Sequence, residues 1–318
     1  MRRARAAIVG IVLAFTAVRP LAAAEPVDLE LLLAIDVSGS IDHEEAVLQR
    51  EGYLAALTHP QVIAAVKAGY LGRIAISYYE WAGDHYQRLV ADWMLVHDEA
   101  SAKRLADAIA AQPITTELWT SISGAIRYGI ARFAESPYAG KRRVLDISGD
   151  GPNNRGGPVT VMRDQAVLAG ITINGLPIIN ERPSRWGLPP SPNLDLYYQD
   201  CVIGGRGAFI VVAEDFKDFA AAIRRKLILE IADVAPGGAP LSKAGAGAPD
   251  APGGAPLSKA GAGAPDAPGG APLMARAEAR DAPELALLRM AADRPRPRGG
   301  WRPPCDEGER QMFEYRDR

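Results

Sequence analysis

Two cysteines, Cys201 and Cys305, and four histidines are all that this 318-residue chain offers of the side chains typical of zinc sites and nucleophilic catalysis. The cysteines are too few and too widely separated for a disulfide-dense scaffold or a paired-cysteine zinc site. An oxidising compartment would permit a bond between them, but spacing alone does not show one. An excess of positive charge is also missing. The first 24 residues hold four arginines and no acid, leaving 32 bases against 38 acids in the rest. A mildly acidic surface lacks the basic footprint that nucleic acid requires. Beyond the first 24 residues, no segment reaches the roughly twenty apolar residues of a membrane span. The G-x-S-x-G elbow of serine hydrolases is missing, as are the phosphate-binding and dinucleotide fingerprints.

Against these absences stands a group of oxygen donors, Asp36-Val37-Ser38-Gly39-Ser40. It follows the apolar run Leu31 to Ile35 and precedes a helical stretch from Glu44 to Leu57. A D-x-S-x-S group at the end of a buried strand gathers one carboxylate and two hydroxyls into one turn. Such hard oxygen ligands suit Mg²⁺, Ca²⁺ and Mn²⁺, and open α/β sheets bind ligands beyond the carboxyl ends of their strands. Two later segments repeat the placement. Thr120-Ser121-Ile122-Ser123-Gly124 puts hydroxyls at the start of a helix, and Val144 to Gly151 runs an apolar strand into Asp150.

The order D-x-S-x-S, then Thr, then Asp resembles the metal-ion-dependent adhesion site of von Willebrand factor A and integrin inserted domains, over residues 27–232. The stretches "YYEWAG", "SGDGPNN", "GITINGLPI" and "CVIGGRGAF" are similar to a bacterial family of secreted von Willebrand A-like proteins of unknown function. The resemblance implies that Ser38, Ser40 and Thr120 supply hydroxyl ligands to Mg²⁺ (or Mn²⁺ or Ca²⁺). It implies that Asp36 and Asp150 hold the ion directly or through water. A coordination position is left for an acidic group of a protein partner. One departure stands out: Glu117-Leu118-Trp119 precedes the threonine where many A domains carry glycines. Trp119 either shields the site, contributes to recognition, or packs. Asn153 and Asn154 read as turn residues within reach of the ion's water shell.

The rest of the chain organises around that site. Arg2, Arg3 and Arg5, an apolar run from Ala6 to Val18, and Ala22-Ala23-Ala24 describe a signal peptide over residues 1–24, hence an exported, periplasmic or extracellular protein. Residues 25–233 read as one α/β domain with a doubly wound, mostly parallel sheet, because strand and helix patterns alternate. Strands are expected over 27–36, 72–81, 88–95, 142–148, 170–178 and 208–213. Helices are expected over 43–58, 99–111, 120–134, 159–169 and 215–231. Between them, 179–205 is proline- and aromatic-rich and reads as an ordered surface excursion on the site's edge. The 16-residue unit 235–250 recurs unchanged at 251–266 and partly at 267–273. So Ala/Gly/Pro-rich a sequence cannot bury a core, making 234–273 a disordered linker. Residues 274–318 form a C-terminal extension, with a short helix expected over 282–292 and a charged, mobile end.

An adhesion-type binding module is thus the expected function. Two alternatives are a metal-dependent hydrolase and a structural domain with a vestigial metal site. The missing base beside Ser38 or Ser40 argues against the former. An aspartyl phosphotransferase would want a second acid where Ser38 stands.

Overall fold

The computed structural model describes residues 24–179, 190–214, 218–233 and 301–316. The leader, the repeat and the 282–292 segment lie outside these residues.

Five strands form the central sheet: β2 (Glu30–Asp36), β3 (Ile74–Trp81), β4 (Gln87–Val96), β6 (Arg143–Gly149) and β7 (Thr172–Pro177). Their spatial order is β4-β3-β2-β6-β7, with only β4 antiparallel. The short strands β1 (Glu25–Val27) and β5 (Tyr138–Gly140) pair beside it. Every residue of β2 is buried, as a strand covered by helices on both faces must be. Leu31, Leu33 and Ile35 point into one layer with α1 (His43–Leu57), α2 (Pro60–Lys67), α3 (Glu99–Ala110) and α7 (Phe219–Ile231). Leu32 and Ala34 point into the other, with α4 (Ile122–Ala134) and α5 (Val159–Leu168). The short helix α6 (Leu194–Tyr197) and a π-turn (Tyr198–Val202) complete that second layer.

Local chemistry sets the helix starts. Asp42 and Glu45 form a reciprocal capping box on α1, and Asp98 and Ser101 do so on α3, satisfying orphan N–H groups at each end. The helix expected from Thr120 begins instead at Ile122, because the Ser121 side chain caps it by accepting from the Gly124 N–H. Helix α2 had no clear periodic signal in eight residues. His59 caps it through its ring, with Pro60 at the first helical position, where a missing N–H costs nothing.

The strand expected at 208–213 is only a broken ladder beside β7. Gly175 donates to the Phe209 carbonyl and Val211 to the Gly175 carbonyl. The next rung would need an N–H at residue 177, which is proline. Pairing resumes with Ala213 donating to Pro177 and Ile179 to Ala213.

The C-terminal end also differs from a mobile tail. Residues 307–316 form a helix, α8 (Glu307–Arg316), and Cys305 is bonded to Cys201. The Arg302 guanidinium forks onto Asp200, with one limb at 2.6 Å, and the Asn193 amide donates to the Trp301 carbonyl at 3.2 Å. A charged segment with no core of its own is ordered here by covalent and polar attachment to the 193–202 excursion.

Candidate functional site

The carboxyl ends of β2 and β6 bring the predicted residues to one rim. Asp36 ends β2 and is fully buried. Its Oδ1 accepts the Ser38 N–H at 2.7 Å, closing the turn, and its carbonyl accepts from Gln49 of α1 at 2.8 Å. The Ser38 and Ser40 hydroxyls lie 3.1 Å apart, and Ser40 donates to Asp150 Oδ1 at 2.6 Å. Four of the five expected ligands are therefore linked through consecutive polar contacts.

Thr120 reaches the same rim by its backbone. The Glu117 N–H donates to the Val37 carbonyl at 2.9 Å, laying the 117–121 loop beside the D-x-S-x-S turn. The Thr120 N–H donates to the Asn154 side chain and the Asn154 N–H returns to the Thr120 carbonyl, both at 2.8 Å. The Thr120 hydroxyl makes no hydrogen bond to the other four residues. Asn153 does the corresponding work one residue earlier: its Oδ1 accepts the Ser123 N–H at 3.0 Å. These asparagines are more than turn formers, since they clip the loop after Asp150 onto the loop and helix that carry Thr120.

Electrostatics mark the rim as incomplete. Asp36 Oδ2 is buried and has no hydrogen-bond partner. Burial, and secondarily the neighbouring Asp150 carboxylate, push the Asp36 carboxyl well above its usual range, because charge in a dry site next to like charge is disfavoured. The Tyr198 hydroxyl is buried without a partner too. Burial most of all pushes its pKa up, with Asp36 and Asp150 adding to the effect. Gly149 explains how these groups come so close. A Cβ there would lie 2.7 Å from both Asp36 Oδ2 and the Tyr198 hydroxyl. Sequence reasoning missed Tyr198 and Gly149, because only the folded backbone places them beside Asp36.

Trp119 adopts φ 71°, a left-handed conformation unfavourable for a bulky residue and native to glycine. It is 41% exposed, as is its neighbour Leu118 at 50%, and the Arg155 guanidinium lies 5.0 Å from its ring centroid. It therefore forms part of the site's outer surface instead of packing in the core. Among the described residues, no three His, Cys, Asp or Glu side chains gather as a metal cluster. The rim is of another kind, two carboxylates with interleaved hydroxyls.

A family model described as "Protein of unknown function (DUF1194)" matches residues 26–235. The chain belongs to that family. Its fold is of the von Willebrand factor A type, as the sheet order and the placement of the D-x-S-x-S turn lead one to expect. No curated protein matches the sequence. Among solved structures, proximal thread matrix protein 1 from the mussel byssus aligns at 12% identity and TM-score 0.49, over 65% of this chain and 48% of that one. This member of the DUF1194 family thus spans about half the length of the mussel protein. A von Willebrand factor type A structure from Catenulispora acidiphila aligns at 13% identity and TM-score 0.46, covering 64% and 43% of the two chains. The conserved hypothetical protein BatB from Bacteroides thetaiotaomicron aligns at 17% identity and TM-score 0.41, covering 64% and 99%.

Proposed function

We propose that this protein is an exported binding module whose adhesion site is a divalent cation held by Asp36, Ser38, Ser40, Thr120 and Asp150. A carboxylate of a protein partner completes the ion's coordination. The observation that carries this reading is the buried, unpartnered Oδ2 of Asp36 close to a second carboxylate. An orphaned charged oxygen in a dry site is costly, and a hard dication both satisfies it and offsets the repulsion from Asp150. The donor set of carboxylate and hydroxyl oxygens suits Mg²⁺, Mn²⁺ or Ca²⁺, and Mg²⁺ in particular keeps waters and accepts an exogenous oxygen. The bound ion would supply attraction for an anionic group. The residues around it orient and desolvate that group: Trp119 and Leu118 give an apolar border, and Arg155 a cationic one. The disulfide supports an oxidising, exported setting. Binding is favoured over hydrolysis because the Ser38 and Ser40 hydroxyls are engaged with each other and with Asp150, with no histidine bonded to either.

The test is thermal melting of wild type and Asp36→Ala in EDTA and across a Mg²⁺ or Mn²⁺ titration. At a hundredfold excess over Kd, wild type should gain about 2.7 kcal/mol, a rise of roughly 5–10 °C for a domain of this size. Asp36→Ala should fold and show no metal response. A response that persists in the mutant places the ion elsewhere. No response in wild type at millimolar metal makes the site vestigial, and turnover of a phosphate or ester substrate makes it a hydrolase.

A further inference from the structure

The C-terminal segment is attached to the loop that carries Asp150. The Glu309 carboxylate accepts from the Asn153 side-chain amide at 2.6 Å, and Asn153 is fully buried. The Asn153 N–H donates to the Tyr197 hydroxyl at 3.1 Å, and that hydroxyl in turn contacts the Cys305 carbonyl at 3.5 Å. The tail thus grips Asn153 from two sides, and its disulfide partner Cys201 follows Tyr198 by three residues. Gly308 shows how tight the contact is. A Cβ there would lie 2.2 Å from the Asn153 carbonyl oxygen and 2.8 Å from its carbon. Glycine weakens a helix by about 1 kcal/mol relative to alanine, so its presence in the first turn of α8 favours close docking over helix strength.

We propose that residues 301–316 are a covalently clipped wall of the candidate cation site, and that Glu309 is a positioning residue for the Asp150–Asn154 loop. The inference rests on the cation reading above and deepens it. Asn153 and Asn154 hold Ser123 and Thr120 respectively, so fixing Asn153 fixes the spacing between Asp150 and Thr120. Partners that orient first-contact ligands in this way typically change metal affinity 10–100-fold when removed. The Cys201–Cys305 bond closes a covalent ring over residues 202–304, so a single backbone cut within 234–300 leaves residues 301–316 bonded to the domain.

The experiment measures Mn²⁺ affinity of the full, oxidised chain by calorimetry, beside hydrogen exchange of backbone amides 150–157. Glu309→Ala and Gly308→Ala should each weaken Mn²⁺ binding about tenfold and speed exchange in that loop. Glu309→Gln keeps an acceptor for Asn153 and should stay within about threefold of wild type. Glu307→Gln removes a charge from the same helix, where that side chain bonds Gln311, and should change neither readout. Breaking the tether by Cys305→Ser should reproduce the Glu309→Ala phenotype. Wild-type affinity and exchange in Glu309→Ala would overturn the positioning role. So would an equal loss in Glu309→Gln and Glu307→Gln, which would show a long-range charge effect. If Asp36→Ala abolishes binding while the tail variants do not, only this inference fails. If wild type ignores Mn²⁺, the cation reading fails, and with it the tail's role at a metal site. Exchange in the loop then reports only on docking.

Discussion

Replacing Lys226 by methionine should be among the most damaging single changes in the domain, although it lies far from the candidate site in sequence. Lys226 on α7 is fully buried, with its ammonium 2.6 Å from Asp146 of β6 and 2.5 Å from Glu230 one turn on. Asn174 of β7 donates to Glu230 at 2.8 Å. Burial, and secondarily the Glu230 charge, push the Asp146 carboxyl up to about 7, with Lys226 pulling the other way. Methionine matches the lysine stem in shape but leaves two buried carboxylates without a cation. Breaking such an arrangement costs about 3–5 kcal/mol, against a total stability of about 5–15 kcal/mol. For a domain of this size the melting temperature should fall by roughly 6–20 °C at pH 8. The sign with pH is fixed by linkage. A carboxyl raised in the folded state contributes stability that is present below its unfolded value near 3.8 and lost as pH rises through about 7. Without the ammonium the shift grows, so the mutant's deficit should be smaller at pH 5, where the carboxylates take up protons, than at pH 8. Adding Asp146→Asn to Lys226→Met should recover much of the loss. Urea denaturation followed by circular dichroism at both pH values reads all three proteins. A Lys226→Met variant within 0.5 kcal/mol of wild type at pH 8 would refute the charge argument. A loss equal at both pH values would assign the effect to packing.

Gly149→Ala should destabilise by about 1–3 kcal/mol, the usual cost of overpacking, and abolish Mn²⁺ binding, because its Cβ meets Asp36 and Tyr198. Gly151→Ala, with nothing within 4 Å of the new atom, is the control and should be close to silent in melting temperature. Trp119→Gly relieves a left-handed conformation costing about 1–2 kcal/mol and loses an exposed cation–π contact of about 0.5–1 kcal/mol. Its melting temperature should therefore hold or rise, and a drop of several degrees would show that Trp119 is structural. Limited proteolysis should cut within 234–300 and leave two fragments that separate on a gel only after reduction; separation without reductant would contradict the Cys201–Cys305 bond. Intact mass of exported protein should begin at Glu25, and retained residues 1–24 would contradict cleavage.

The sheet was legible in sequence because parallel strands buried on both faces read as near-continuous apolar runs, as Leu31 to Ile35 does and Val144 to Ile147 does but for Asp146. The antiparallel direction of β4 was not, since its half-exposed pattern fits an edge strand of either direction. The candidate ligands could be proposed because hydroxyls and carboxylates at strand ends carry their chemistry in the residue names. What they touch could not. The gap in the β7 ladder depends on Pro177 falling where an N–H would meet the Val211 carbonyl, a register that no local pattern encodes. Trp119 illustrates the middle case: its identity where glycine is usual was visible, but its exposure and φ needed the fold.

The buried charges of this domain differ in whether an opposite charge accompanies them. Lys226, Asp146, Glu230 and Asn174 sit between α7 and the sheet and supply one another's partners in large part. Arg50, Arg88 and Glu80 do the same at the other edge, where the two guanidinium groups converge on one carboxylate and on the carbonyls of the 109–113 turn. Such clusters cost desolvation and return it through mutual pairing, so they hold the architecture together without asking for a ligand. At the carboxyl ends of β2 and β6 the balance is left open. Asp36 has one oxygen satisfied by its own turn and one by nothing, and Tyr198 offers a hydroxyl with no acceptor. The fold leaves orphaned atoms elsewhere too, at Tyr53, Tyr78 and Glu230 Oε2, but at this rim it sets the Asp36 carboxylate, which forms no ion pair among the described residues, beside a second carboxylate. It also surrounds the rim with clips at Gln49, Asn153 and Asn154 that fix it in place. A buried carboxylate oxygen without a partner, held rigid beside a like charge, is what a hard cation would satisfy, and it is on that juxtaposition that the cation reading stands.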